Sequence, residues 1–248
     1  MNERTVLSLT GKDRVEFLQG LVTNDVSRAT GGIVYTALLT PQGKYLADFF
    51  VLGEPDRLLI DVASSHAAGL GQRLNMYRLR ADVQIETTDL VVSRGTGDAP
   101  DGALPDPRHA ALGWRHYGDT NISDATDWDA VRVAHLVPAS GIELTPETYI
   151  LEAGFERLHG VDFRKGCFVG QEIVARMKHK TTLRKGLVQV AVDGPAQSGD
   201  EIVNDGRPAG VLHTVAGDMA IAYLRFDRTD NMTAGDATLT LVGQPQSG

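Results

Sequence analysis

The sequence predicts an α+β fold in two parts, residues 1–180 and 181–248, and three observations carry that reading. Up to about Thr181, strand-like runs alternate with segments of helical periodicity. From Leu187 onward only short β runs separated by turn clusters remain, which predicts a small antiparallel barrel or sandwich. A chain of 248 residues is also long for a single core, so more than one folded unit is expected.

Thr10 and Asp13 read as a helix start, with Val15, Leu18, Leu21 and Val22 on one face. That helix is expected to end at Thr23-Asn24-Asp25, whose short polar side chains favour turns. Ile33 to Leu39, Tyr45 to Leu52 and Arg57 to Val62 follow as strands. The turn chemistry of Pro41-Gln42-Gly43 and Gly53-Glu54-Pro55-Asp56 separates them and predicts an antiparallel meander. Ser64 and Ser65 can cap a helix carrying Leu70, Leu74 and Tyr77, ahead of a strand from Val83 to Val92. Gly95 to Pro107 is rich in Gly, Asp and Pro and predicts a loop. Asp127 caps a helix bearing Val131, Ala134, His135 and Val137, stopped by Pro138 and Gly141. Ile173 to Met177 reads as either strand or helix. The last part is expected to hold strands at Leu187 to Val192, Ala209 to Val215, Ala220 to Leu224 and Ala237 to Val242.

Composition narrows the functional classes. Apolar content of 42% and charged content of 23% are those of an ordinary globular chain. A formal net charge of -8 argues against a general nucleic-acid or membrane-surface binder. The single cysteine cannot form an internal disulfide, which fits a reducing compartment. No apolar run follows Met1-Asn2-Glu3-Arg4, no basic serine-rich leader is visible, and no segment is apolar enough for a membrane helix; a cytoplasmic location is the expectation. The seven histidines show no zinc spacing, so no metal site is expected.

Chemistry concentrates in Lys165-Gly166-Cys167-Phe168-Val169-Gly170-Gln171-Glu172, around that one cysteine. Arg164 and Lys165 precede the thiol, and nearby cations favour the reactive thiolate. Gly166 and Gly170 permit positive φ or a close backbone approach. Arg164 to Lys185 holds seven Lys or Arg residues against Glu172 alone, a basic span suited to a carboxylate-rich ligand or an acidic partner. Asp48 is a lone carboxylate within the apolar run Leu46 to Val51, where simple alternation would place it on a solvent face.

The eight-residue segment resembles the K-G-C-[FY]-x-G-Q-E signature of the YgfZ-type folate-binding proteins, relatives of the glycine-cleavage T-protein, at every position. Shorter blocks resemble the same group in the same order: Phe17-Leu18-Gln19-Gly20, Thr23-Asn24-Asp25-Val26, Gln42-Gly43-Lys44 with Asp48, Arg78-Leu79-Arg80-Ala81 and Leu151-Glu152-Ala153-Gly154. The resemblance implies T-protein-like folate-binding α/β lobes ahead of the C-terminal β-barrel. It also implies a tetrahydrofolate-binding protein that assists iron–sulfur cluster assembly or repair, with iron–sulfur client or assembly proteins as partners. In that reading Cys167 is the functional thiol, Lys165 keeps it ionised, and Gln171 and Glu172 orient the loop. Asn24, Asp48 and Glu152 form the folate pocket. T-proteins carry two adjacent aspartates where this chain has Ala47 and Asp48, which counts against aminomethyl transfer. Two alternatives stay open: a one-carbon transferase, and a folate-binding scaffold in which Cys167 is structural.

Overall fold

A computed structural model of the chain describes residues 3–243. The chain forms two compact units. Among the described residues, one comprises those up to Thr126 together with Leu158–Ile173; the other comprises Asp127–Arg157 and those from Val174 onward. The polypeptide therefore passes between units at three points, where the sequence pattern suggested one boundary near Thr181.

The first unit is built on a five-stranded antiparallel sheet. Its elements are β1 (Arg4–Thr10), α1 (Arg14–Gln19), β2 (Ile33–Leu39), β3 (Tyr45–Gly53), β4 (Leu58–Ala63), α2 (Ser64–Arg78) and β5 (Gln84–Thr87), with strand order β2-β3-β4-β1-β5. The meander β2-β3-β4 matches the expected strands within a residue at each end. Strand β1 was not anticipated, although it pairs with both β4 and β5 and buries Val6, Leu7 and Leu9. Helix α1 is shorter than the pattern predicted. The Leu21 and Val22 amides bond back to the Leu18 carbonyl, and the Thr23 amide leaves the helix to pair with Ala37 of β2. Val15 consequently sits at the surface. The α2 cap position is Ala63 rather than a serine; Ser64 Oγ instead hydrogen-bonds Thr5 Oγ1 at 2.8 Å.

A smaller sheet follows, β6 (Val91–Gly95), β7 (Leu104–Pro105) and β8 (Trp114–Gly118), in the order β6-β8-β7. One face of the large sheet packs Leu9, Phe49, Val51 and Ile60 with Leu18 of α1 and Leu70 and Leu74 of α2. The other face packs Val6, Leu52 and Leu59 with Val92, Leu104 and Tyr117 of the small sheet. Both faces are therefore covered. This explains why β3 does not alternate between core and solvent and why Asp48 is buried rather than exposed.

In the second unit α3 (Trp128–Ala134) starts at Asp127, whose carboxylate accepts the Asp129 and Ala130 amides as the sequence predicted. Helix α4 (Gln171–Lys180), whose first three residues belong to the first unit, resolves the strand-or-helix ambiguity after the cysteine loop in favour of helix. The remaining strands close into a six-stranded barrel: β9 (Lys185–Asp193), β10 (Glu201–Asn204), β11 (Arg207–Ala216), β12 (Met219–Arg225), β13 (Met232–Ala234) and β14 (Ala237–Gly243), ordered β10-β11-β12-β9-β14-β13. The two strands absent from the sequence reading, β10 and β13, are short, yet their pairing is what closes the barrel. Asp205 and Gly206 both take positive φ at the β10–β11 hairpin, which a tight two-residue turn of the right hand requires.

Candidate functional site

The cysteine loop is held in the first unit by a set of hydrogen bonds from residues 159–165 to the end of α1 and the start of β2. Asn24 donates its side-chain amide to the Tyr35 and His159 carbonyls at 2.8 and 2.6 Å. Its oxygen accepts the Asp25 amide at 2.8 Å. Thr23 Oγ1 donates to the Gly160 carbonyl at 2.6 Å, and the Asp162 amide donates to the Thr23 carbonyl at 3.1 Å. Arg28 pairs with the Asp162 carboxylate. Thr23-Asn24-Asp25 thus acts as a bracket for the loop. Both ends of the Asn24 amide group are engaged with main chain in this role.

Beyond the bracket the chain carries its thiol outward. Phe168 is buried and Val169 packs against the large core, whereas Cys167 between them and Gly166 is exposed. Gly170 takes φ +85, and a Cβ there would lie 2.6 Å from the Thr40 carbonyl oxygen and 3.1 Å from the Gly43 Cα. Gly43, at φ +75, would in turn meet Ile173 at 2.9 Å. The Gln42-Gly43-Lys44 turn and the Phe168–Gly170 segment fit together because both lack side chains where they meet. Gly166 has open space around it and no positive φ, so the freedom expected of it is not used. Gln171 opens α4, its amide donating to the Phe168 carbonyl at 3.2 Å, and Glu172 lies in the first helical turn, where a carboxylate complements the helix dipole.

Lys165 points inward. Its ammonium donates to the carbonyls of Gln19 (2.6 Å) and Val22 and lies 5.2 Å from the Phe168 ring centroid. It therefore caps the C-terminal end of α1 and fastens the loop from beneath, and Cys167 is among the groups that act on its charge. Burial, partly offset by Asp25, Asp162 and Cys167, pushes its pKa down to about 8 from 10.5. Below pH 8 both folded and unfolded chains hold this proton. Between about 8 and 10.5 the unfolded chain keeps it while the folded chain releases it, so stability is expected to rise with pH across that window. Urea denaturation of wild type against Lys165→Met should show a rise on the order of 2 kcal/mol in the first and none in the second.

Asp48 lies beneath the loop's bracket, linked to it through Tyr35. The Tyr35 hydroxyl donates to Asp48 at 3.1 Å and the Tyr45 hydroxyl at 2.7 Å. Burial, reinforced by Asp48, pushes the Tyr35 hydroxyl pKa well up, so it stays a donor. The Arg108 guanidinium covers the ring faces of Tyr35 and Phe50 at 5.3 and 4.8 Å and is fixed by donating two hydrogen bonds to the Asp106 carboxylate at 2.9 and 2.8 Å. Asp48 is therefore buried within a polar layer that engages both of its carboxylate oxygens. The residues of that layer, Tyr35, Tyr45, Asp106 and Arg108, were missed by sequence reasoning; only the layer packing on the sheet reveals them.

Glu152 lies in the second unit. Its carboxylate accepts the Tyr223 hydroxyl at 2.6 Å, and its carbonyl accepts the Leu187 amide at 2.8 Å. It lines a cleft of about 470 Å³ together with Met177, Thr181, Thr182, Leu183 and the cations Lys180, Arg184, Lys185 and Arg225. Lys185 Nζ sits 5.4 Å from the Tyr223 ring centroid. The basic span recognised in the sequence thus contributes three of the cations that surround this one buried carboxylate.

Comparison with known proteins bears on fold and on function differently. Residues 184–246 match the CAF17 C-terminal beta-barrel domain. A solved structure of the glycine cleavage system aminomethyltransferase T from Bartonella henselae superposes with a TM-score of 0.73 at 14% identity, covering 98% of this chain and 83% of that one. The fold is accordingly that of the aminomethyltransferase T-protein, mixed α/β with a closed C-terminal barrel. Among curated proteins, an iron-sulfur cluster assembly factor IBA57 homolog of Mycosarcoma maydis is 30% identical over 76% of this chain and 55% of its own length. The mouse and human IBA57 proteins are 26% and 27% identical, over 92% and 90% of this chain and 77% and 76% of theirs. The chain spans little more than half the length of the first two fungal relatives, 55% and 56%. All of these relatives are described as mitochondrial, which overturns the cytoplasmic location expected from the sequence.

Proposed function

We propose that this chain is an iron–sulfur cluster assembly factor of the CAF17/IBA57 kind, close to the YgfZ-type proteins its cysteine segment resembles, with Cys167 as its working thiol. The observation that carries the reading is the exposed Cys167 on a loop pinned from both sides, by Lys165 and the Asn24 bracket below and by the Gly43–Gly170 contact after it. The names of the relatives supply the cargo. An iron–sulfur cluster is commonly held by about four thiolates, so one thiol offers a single position and the partner or client supplies the others. Cys167 would lose its proton to solvent on binding iron. The exchange is helped by exposure and by a loop that needs no rearrangement to present the sulfur.

Folate is the second element of the proposal, and we assign its contact to Glu152 rather than to Asn24 or Asp48. A cleft of about 470 Å³ lies within the range of roughly 300–1,000 Å³ that small ligands occupy. The Glu152 carboxylate, oriented by Tyr223, can accept paired ring N–H groups, and Lys180, Arg184 and Lys185 suit the carboxylates of a glutamate tail. Bound there, tetrahydrofolate would supply a reduced pterin. Aminomethyl transfer is disfavoured, since Ala47 replaces one acid and Asp48 lies buried under Tyr35 and Tyr45.

Tetrahydrofolate at about 100 times its dissociation constant is expected to stabilise the protein by roughly 2.7 kcal/mol. Thermal unfolding with and without the ligand reads this directly. Glu152→Ala should lose most of the shift; no shift in wild type at millimolar ligand would remove folate from the proposal while leaving the thiol reading standing.

A further inference from the structure

We infer that the end of α2 is a docking surface for a protein partner that presents an apolar hollow rimmed by carboxylates. Three large apolar side chains project there within four residues: Met76 at 69% exposure, Tyr77 at 37% and Leu79 at 90%. The buried face of α2 is made by Ala67, Leu70 and Leu74, so these three serve no core. Leu79 also takes φ 44 and ψ -100, a left-handed backbone conformation that costs a side-chain-bearing residue such as leucine free energy. A strained leucine that buries nothing in its own chain is doubly unfavourable for folding alone.

The segment is rigid as well as exposed. The Arg78 guanidinium donates to the Val83 carbonyl at 3.1 Å and the Ala81 amide to the Arg78 carbonyl at 2.8 Å. Asp82 is tied to Asp13 in both directions, amide to carboxylate at 2.8 Å and carbonyl from amide at 3.3 Å. Gly11 sits so near this turn that a Cβ on it would lie 2.1 Å from the Asp82 carbonyl oxygen. A preorganised patch loses little freedom when it is covered, which is where binding free energy is otherwise spent.

Charge indicates the chemistry of the partner. Arg73 and Arg80 flank the apolar residues, and both are exposed. From Arg73 to Arg80 there is no acidic residue, although the whole chain carries net -8. Tyr, Met and Arg are the residue types enriched at the centres of protein interfaces. Three apolar groups make a small footprint for a lipid surface, and the acidic chain as a whole would be repelled by anionic headgroups; an acidic-rimmed protein pocket satisfies both features.

The test places a photoreactive benzoylphenylalanine at Met76 of the full chain in cells, with the crosslinked product identified by mass spectrometry. A single crosslinked protein is expected, and its yield should fall at least about 10-fold in the Arg73→Glu/Arg80→Glu background. Leu79→Gly should relieve the backbone strain, so its Tm should equal or exceed that of wild type while the crosslink falls similarly. Crosslinking that is indifferent to charge reversal, only to a second copy of this chain, only to lipid, or to nothing would each overturn the inference. So would a Leu79→Gly variant that crosslinks as well as wild type.

Discussion

Asp61→Asn is expected to destabilise the first unit by about 3–5 kcal/mol, a fall in its Tm on the order of 10 °C. Asp61 is fully buried in β4 and carries two arginines. Oδ1 accepts Arg4 Nε at 2.6 Å; Oδ2 accepts Arg115 and, at 2.9 Å, the Tyr117 hydroxyl. Arg115 also lies 3.9 Å from the Phe50 ring centroid, buried, and pairs with a second acid, Asp106, at 3.4 Å. The amide keeps the shape but removes the charge, leaving buried guanidinium groups short of a counter-ion. Burial alone would raise the Asp61 pKa, yet Arg115 and Arg4 outweigh it and hold it down at about 2, against 3.8. The stability this confers is complete above pH 3.8 and is lost as pH falls through that value toward 2. Urea denaturation across about pH 2 to 7 should show that acid limb in wild type and its attenuation in Asp61→Asn; equal stability of the two proteins at pH 7 would show the network to be dispensable.

The two glycines of the cysteine segment should part company on substitution. Gly170→Ala is expected to cost about 2–5 kcal/mol, from the positive φ and from a Cβ forced against main chain. The obstacle is the Thr40 carbonyl at 2.6 Å, which no side-chain rotation can move aside. Relief requires the turn at Gly43 or the loop bearing Cys167 to shift, so the variant should lose function beyond its loss of stability. Gly166→Ala meets nothing within 4 Å and should fall within about 0.5 kcal/mol of wild type. Chemical denaturation of the pair checks this. Equal sensitivity at both positions would mean that the Gly43–Gly170 contact does not locate the loop.

These outcomes also mark what the sequence could disclose. The β2-β3-β4 meander, α2, the Asp127 cap and four barrel strands follow from local periodicity and turn chemistry, and the structure retains them. Strands β1, β8, β10 and β13 lack such punctuation; β10 and β13 are too short to show a period, and their place is set by partners distant in sequence. The site divides in the same way. Cys167 was legible because a lone thiol among glycines and cations is chemically conspicuous. The role of Lys165 was not, because its acceptors, Gln19 and Val22, lie more than 140 residues away and only the folded chain brings them under the loop. Simple alternation offered a solvent face for Asp48 because it assumes one wet face, and the small sheet covers that face. Glu152 and the basic span were each visible, but the Tyr223 bond and the shared cleft belong to tertiary structure.

The most direct measurement is complementation of cells lacking their own IBA57-type factor, read as the activity of their iron–sulfur enzymes, with wild type compared with Cys167→Ala at matched expression. Because Cys167 is exposed, the alanine variant should keep the wild-type Tm. The account predicts that wild type restores enzyme activity and that Cys167→Ala, equally stable, does not. Restoration by both would contradict the assigned role of the thiol, and restoration by neither would contradict the assembly function itself.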